Sequence, residues 1–133
     1  MIAVLLAAIL QATVSMHPVD KGMNSQMDDA RQVVVRTDAE WSKLWTQHGG
    51  DRTKPAIDFS KNMLVAVFLG TRPTTGFAVE IVGVREEGGG LVVAYKETRP
   101  APDSVAAQML TSPYHIVAVP RGSTTAVKFE RVS

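Results

Sequence analysis

The sequence lacks cysteine and any excess of one charge, and both absences exclude classes of function. Without Cys, the 133-residue chain has no disulfide framework, thiol nucleophile or thiolate zinc site. Its 14 basic and 13 acidic residues nearly cancel and form no block of like charge, so nothing indicates a nucleic-acid partner. Partner recognition must therefore depend on shape and local chemistry more than on net charge.

The N-terminus carries a continuous apolar run over residues 2–10. It is followed by Thr13, Val14 and Ser15, a small-x-small triplet of the kind that signal peptidase accepts. We therefore predict a signal peptide over residues 1–15 and an exported protein, periplasmic or extracellular, that begins near Met16. The run is shorter than the roughly 20 residues of a membrane-spanning helix, so no permanent span is expected. Because no Lys or Arg precedes the run, a first element of the domain is the alternative.

Residues 16–30 show no hydrophobic period and contain Pro18 and Gly22, which indicates a linker. One folded domain is predicted over residues 31–133, because a hydrophobic content of 45% suffices for a single core. Thr37 to Glu40 match a capping box and predict a helix over residues 38–47. Its apolar residues share one face, which we expect to be buried: Trp41, Leu44 and Trp45.

Six β-rich runs follow the pattern of strands, at residues 32–35, 63–69, 77–85, 91–98, 114–119 and 125–131. The run at 63–69 is apolar without alternation, as in a central strand covered on both faces. Residues 86–90 predict a hairpin that sets Glu80 opposite Lys96 and Ile81 opposite Tyr95. Residues 120–124 predict a second hairpin, and 105–110 a helical turn. We expect an α+β fold, with a mostly antiparallel sheet or small sandwich of about six strands and one N-terminal amphipathic helix.

Between two apolar runs lies the turn "GTRPTTGFAVEI", residues 70–81. Pro73 presets φ for a turn and Gly76 can adopt the positive φ of a tight return, so a structural role explains the turn. A rigid turn with two hydroxyls also suits insertion into a groove of a partner. The predicted binding residues are Arg72, Pro73, Thr74, Thr75, Gly76 and Phe77.

Groups for catalysis are few. A hydrolase triad would have to combine His48 or His115 with Asp58, Ser60 or Ser112, and no serine lies in a G-x-S-x-G elbow. Neither H-x-x-x-H nor H-E-x-x-H occurs, which argues against a metal site. We therefore expect no enzyme activity, no catalytic residues, no metal and no cofactor, with a hydrolase as a minor alternative.

Three blocks between residues 37 and 120 resemble the C-terminal domain of the PrcB protease-complex subunit family: "EWSKLWTQH", "DFSKNMLVAVFLGTRPTTGFAVEIVGV" and "QMLTSPYHIVAVP". The resemblance implies a non-enzymatic domain that supports the assembly or stability of an envelope-associated complex with a secreted serine protease. It supplies no catalytic residues. The expected partner is another protein, such as a secreted protease, and not nucleic acid.

A second resemblance is local. Residues 72–77, "RPTTGF", are similar to the N-P-T-T-G-[YF] loop of chagasin-type inhibitors, with Arg72 where that pattern has Asn. The resemblance implies an inhibitor that wedges this loop into the cleft of a papain-like protease. It is the alternative to the assembly function.

Overall fold

Two four-stranded sheets and one helix make up the part of the chain that the computed structural model describes, residues 11–122 and 126–133. The elements, in chain order, are β1 (Gln11–Val14), β2 (His17–Gly22), β3 (Arg31–Val35), α1 (Asp38–His48), β4 (Asn62–Phe68), β5 (Ala78–Glu87), β6 (Gly90–Thr98), β7 (Tyr114–Pro120) and β8 (Val127–Val132). The first sheet has the order β1-β5-β6-β8 and the second the order β2-β7-β4-β3. All the pairs are antiparallel except β6 with β8.

Strand β4 divides the core into two layers, because its successive side chains point to opposite faces. Met63, Val65 and Val67 pack between the two sheets, against apolar side chains of β5, β6 and β7. Leu64 and Phe68 pack on the other face, against α1. All residues of 63–69 are buried, which confirms the prediction of a central strand covered on both faces.

Helix α1 begins at the predicted capping box and ends one residue later than expected. The Thr37 hydroxyl accepts a hydrogen bond from the Glu40 amide, and the Glu40 carboxylate accepts one from the Thr37 amide. Trp41 and Trp45 are buried as predicted, and each indole N–H donates to a carbonyl of the following loop at 2.8 Å. The helix therefore closes the second layer of the core with its polar indole atoms satisfied.

The β5–β6 hairpin has the predicted register over the two pairs that were specified. Glu80 lies opposite Lys96 and Ile81 opposite Tyr95, and a bulge between Ile81 and Gly83 shifts the pairing nearer the turn. Gly88 and Gly89 occupy the turn with φ of +59° and +81°. Positive φ at both central residues is the conformation that two-residue hairpins favour and that glycine adopts without strain.

The six predicted strands are present, but the described residues form eight strands and not about six. Strand β2 lies in the segment interpreted as a linker and pairs with β7. Its polar and proline-containing sequence, "HPVDKG", carries no alternation that could have revealed it. Strand β1 lies within the predicted signal peptide and pairs with β5, while residues 1–10 fall outside the described residues. Cleavage near Ser15 stays a prediction.

The second predicted hairpin is wrong. Strand β7 is flanked by β2 and β4, so β8 cannot pair with it and instead joins β6 in the first sheet. Val127 and Phe129 of β8 pack against the core between the sheets, which explains why the chain passes from the second sheet to the first after β7. Part of the predicted turn, residues 123–125, lies outside the described residues. Residues 105–110 form no helical turn either.

The two-layer core predicts that two leucines contribute very differently to the free energy of unfolding. Leu64 is fully buried and Leu110 is 71% exposed. Leu64→Ala is expected to lower the free energy of unfolding by about 2–5 kcal/mol, because it leaves a cavity beneath α1. Leu110→Ala is the matched control, with an expected change within about 0.5 kcal/mol. Urea unfolding of both variants measures this, and equal losses would contradict the described packing.

Candidate functional site

The predicted binding turn lies beside the segment that precedes β7. Gly76 has the positive φ expected of it, at +95°, and a Cβ atom placed there would approach the Pro100 Cβ to 2.8 Å. Pro73 and Gly76 are exposed at the tip, while Thr74, Thr75 and Phe77 are half-buried. The turn therefore rests against the chain around Pro100 instead of projecting alone.

Hydrogen bonds join the turn to this neighbouring segment. The Arg72 amide donates to the Thr111 carbonyl at 2.7 Å, and the Thr111 amide returns a bond at 2.9 Å. The Thr75 amide donates to the Ala107 carbonyl, and the Ala107 amide donates to the Thr75 hydroxyl. The Thr111 hydroxyl donates to the Thr74 carbonyl. Residues 72–77 and 100–111 thus form one structure, which we call the paired-loop surface.

Exposed apolar side chains on this surface come from its second segment. Val105 is fully exposed, Leu110 is 71% exposed and Met109 is 56% exposed. The sequence analysis predicted a helical turn at residues 105–110 and did not identify these side chains as exposed, because the segment has no hydrophobic period. The two predicted threonine hydroxyls have internal partners instead: Thr75 accepts from Ala107, and Thr74 donates to the Thr75 carbonyl.

A buried polar cluster lies at the end of α1, where His48 contacts residues of the N-terminal segment. The Ser25 hydroxyl lies 2.7 Å from His48 Nδ1, and Asp20 Oδ2 lies 2.9 Å from His48 Nε2. Because a carboxylate only accepts, Nε2 carries the proton, Nδ1 is the acceptor and the Ser25 hydroxyl donates. Ser25, His48 and Asp20 therefore form a serine–histidine–aspartate chain that sequence reasoning did not predict.

Asp20 receives two further hydrogen bonds, from Tyr114 Oη at 2.8 Å and from Arg52 Nη2 at 3.0 Å. Burial alone raises the pKa of Asp20, but the bonds from His48, Arg52 and Tyr114 outweigh it and lower the pKa. Burial, followed by the bond to Asp20, raises the pKa of Tyr114 to about 12. Burial also lowers the pKa of His48, against the opposing effect of Asp20. The cluster is therefore an anionic carboxylate surrounded by donors.

The hydrogen bonding around Ser25 is that of a structural network. The amides of Ser25, Gln26 and Met27 donate to the Ser112 carbonyl, the His48 carbonyl and the Ser25 hydroxyl. None of these three amides is free to stabilise an oxyanion, which acyl transfer requires. Ser25 is 8% exposed and His48 is fully buried, so a substrate would have to displace packed chain.

Neither serine that the sequence analysis considered for a triad is hydrogen-bonded to a histidine. The Ser60 hydroxyl donates to Asp58 in an exposed loop, and the Ser112 hydroxyl donates to the Met27 carbonyl. His115 is buried, and its Nδ1 accepts from the Ile81 amide at 2.9 Å, beside the bulge of β5. This bond connects the two sheets. Burial, and then the charge of Lys21, lowers the pKa of His115.

Residues 63–120 match the family model described as PrcB C-terminal. This segment is less than half of the chain and is similar to the PrcB C-terminal family, so we call it the PrcB C-terminal segment. No curated protein and no solved structure gives a significant match. The likeness to chagasin-type inhibitors receives no support from these comparisons and stays a prediction.

The PrcB C-terminal segment runs from β4 to β7 and contains the whole paired-loop surface. Ser25, His48 and Asp20 lie before it, although Tyr114 lies within it. The polar cluster therefore joins the N-terminal part of the chain to the PrcB C-terminal segment. Within the described residues, no three acidic or histidine side chains could hold a metal ion together, and no helix has the length and apolar character of a membrane span.

The lowered histidine pKa values predict acid destabilisation. A histidine with a lowered folded-state pKa is protonated first in the unfolded chain, so stability is complete above the ordinary value of 6.5 and is lost as pH falls below it. The slope should approach about 1.4 kcal/mol per pH unit for each histidine. Urea unfolding between pH 8 and 5 measures it.

His48→Gln and His115→Gln should each remove part of this pH dependence. His17 is exposed and serves as the matched control, so His17→Gln should leave the slope as it is in the wild type. A free energy of unfolding that stays constant from pH 8 to 5 would contradict the neutral, buried state of both rings.

The turn at residues 72–77 predicts that valine at Gly76 destabilises the protein more than valine at Gly83. Gly76→Val is expected to lower the free energy of unfolding by about 1–3 kcal/mol, because it combines positive φ with a clash against Pro100. At Gly83 a Cβ atom meets nothing within 4 Å, so Gly83→Val is the control and should be near neutral. Thermal unfolding compares the variants, and a harmless Gly76→Val would refute the described turn.

Proposed function

We propose that the chain is an exported, non-catalytic protein-binding domain that assists the assembly or stability of an envelope or secreted protease complex. The observation that carries the proposal is the set of exposed apolar side chains on the paired-loop surface, Val105, Met109 and Leu110. They lie within the PrcB C-terminal segment, and the resemblance to the PrcB family implies a subunit of a protease complex. The partner is another protein, and a secreted protease is the favoured one.

The construction of the surface supports binding. The bonds of Arg72 and Thr75 to residues 107–111 hold the exposed apolar chain in place without a helix or strand of its own. A loop that is fixed before binding loses less conformational entropy when the partner arrives. Exposed apolar patches are also typical of sites that another protein covers, and the three exposed side chains come from one short segment.

The alternative is a chagasin-like inhibitor that inserts residues 72–77 into a papain-like protease. Its support is the exposed tip formed by Pro73 and Gly76. The two hydrogen bonds between Thr75 and Ala107 hold the turn against the second segment. This arrangement favours binding by the whole paired-loop surface over insertion of the turn alone.

The proposal is tested by purifying the protein from the envelope and secreted fractions of its own cells after mild crosslinking. Leu110→Asp is expected to reduce recovery of a co-purifying protease at least about tenfold, because a charge replaces a side chain that becomes buried on binding. Val82, 44% exposed on β5, provides the matched control, and Val82→Asp should retain the partner.

Two results would contradict the proposal. One is equal recovery of the protease with Leu110→Asp and with the wild type. The other is a protein found only in the cytoplasm, which would also refute the predicted signal peptide. Inhibition of a papain-like protease that is lost with Pro73→Ala would instead support the inhibitor.

A further inference from the structure

Arg72, whose guanidinium has no hydrogen-bond acceptor, lines a cleft at one end of the sandwich. The cleft has a volume of about 340 Å³ and lies between the start of β3, the end of β4 and β6. Its walls include Arg31, Gln32, Tyr95, Glu97 and Arg72. Gln32 donates to the Tyr95 hydroxyl at 2.9 Å across the two sheets, so these two walls are fixed to each other.

The guanidinium of Arg72 has no hydrogen-bond acceptor among the residues of the two described ranges. Its Nε is buried without a partner, and it is the one such side-chain atom in that part of the molecule. Two other arginines there are paired with carboxylates: Arg52 bonds to Asp20, and Arg85 bonds to Glu87 and Glu130. A buried donor without an acceptor costs free energy, so its presence calls for an explanation.

The Arg72 guanidinium lies against an aromatic ring. The Arg72 guanidinium carbon lies 5.5 Å from the centre of the Phe77 ring, so the aromatic ring covers the cation. The backbone of Arg72 is fixed by its two bonds to Thr111. An arginine held in this way keeps the donors at its edge, which match the two oxygens of a carboxylate.

We propose that Arg72 binds a carboxylate of the partner protein in this cleft, and that it is the polar anchor beside the apolar side chains of the paired-loop surface. This inference deepens the proposed function and rests on it. The ligand group is a C-terminal carboxylate or an Asp or Glu side chain, since both present the same pair of oxygens. Binding supplies the guanidinium with the acceptors that it lacks.

The charges around the cleft favour an anion. Arg31 and Arg72 contribute two positive charges, and Glu97 contributes one negative charge. The carboxylate of Glu97 is paired with Arg131 at 3.8 Å and makes no ion pair with Arg72. Arg31 bonds to Gln47 and to the sulfur of Met27, so it adds charge while Arg72 supplies the free donors.

The test is a nuclear magnetic resonance titration of the full chain, in which the Arg Nε–H signals are followed directly. Three probes are used: an acetylated tetra-alanine with a free carboxylate, its C-terminal amide, and an amidated acetyl tetrapeptide with one aspartate. The Arg72 signal is expected to shift with one or both carboxylate probes and not with the neutral amide. The two carboxylate probes distinguish a chain end from an acidic side chain.

Variants of Arg72 test whether the paired N–H donors of its guanidinium bind the carboxylate, and whether the unpaired donor lowers the stability of the protein. Arg72→Lys keeps the charge but loses the paired donors, so the carboxylate probe should bind at least about tenfold more weakly. Arg99 is exposed and has no described partner, so Arg99→Lys is the matched control and should bind as the wild type does. Arg72→Met should retain or raise the melting temperature while abolishing the response, because it removes the unpaired donor.

The outcomes separate this inference from the proposed function. Equal shifts with the amide and the carboxylate probes, or full binding by Arg72→Lys, would overturn the inference. Recovery of the protease partner by Arg72→Met at the wild-type level would also overturn it and leave the proposed function intact. A selective carboxylate response without any co-purifying protease would uphold the site and refute the proposed function.

Discussion

The hydrogen-bonded position of His48 is the constraint on which the rest of the structure depends. Its ring joins Ser25 on one side to Asp20 on the other, and Asp20 in turn accepts from Tyr114 of β7. One buried imidazole thus connects the N-terminal segment, the end of α1 and the second sheet. Because the ring is fully buried, losing either partner would leave a polar atom unsatisfied where water cannot replace it.

This connection explains why the PrcB C-terminal segment depends on the residues before it. The matched segment provides β4 to β7, but β2 and α1, which cover β7 and one face of β4, precede it. His115 of β7 provides a second connection by accepting from the Ile81 amide at the bulge of β5. Both histidines accept a hydrogen bond at Nδ1, which is possible only while that nitrogen is unprotonated. The neutral state of the two rings therefore maintains both the packing of the helix and the contact between the sheets.

Local chemistry made much of the fold predictable. The capping box at Thr37, the turn glycines 88–90 and the continuous apolar run of β4 each determine structure over a few residues, and their predictions were confirmed. Strand β2 was missed because its role comes from Asp20 and from pairing with distant β7. Strand β8 was placed beside β7 because neighbouring strands usually pair, whereas here both edges of β7 are occupied.

The candidate site was predictable only where it depends on the backbone. Pro73 and Gly76 revealed a rigid turn, but nothing in the sequence indicated that residues 100–111 would fold against it. The contrast between the two polar regions is then informative. The Asp20 cluster satisfies its buried atoms internally, whereas Arg72 keeps a buried donor without an acceptor. Since the rest of the described chain avoids this cost, the free donor at the paired-loop surface points to an acceptor from outside the chain.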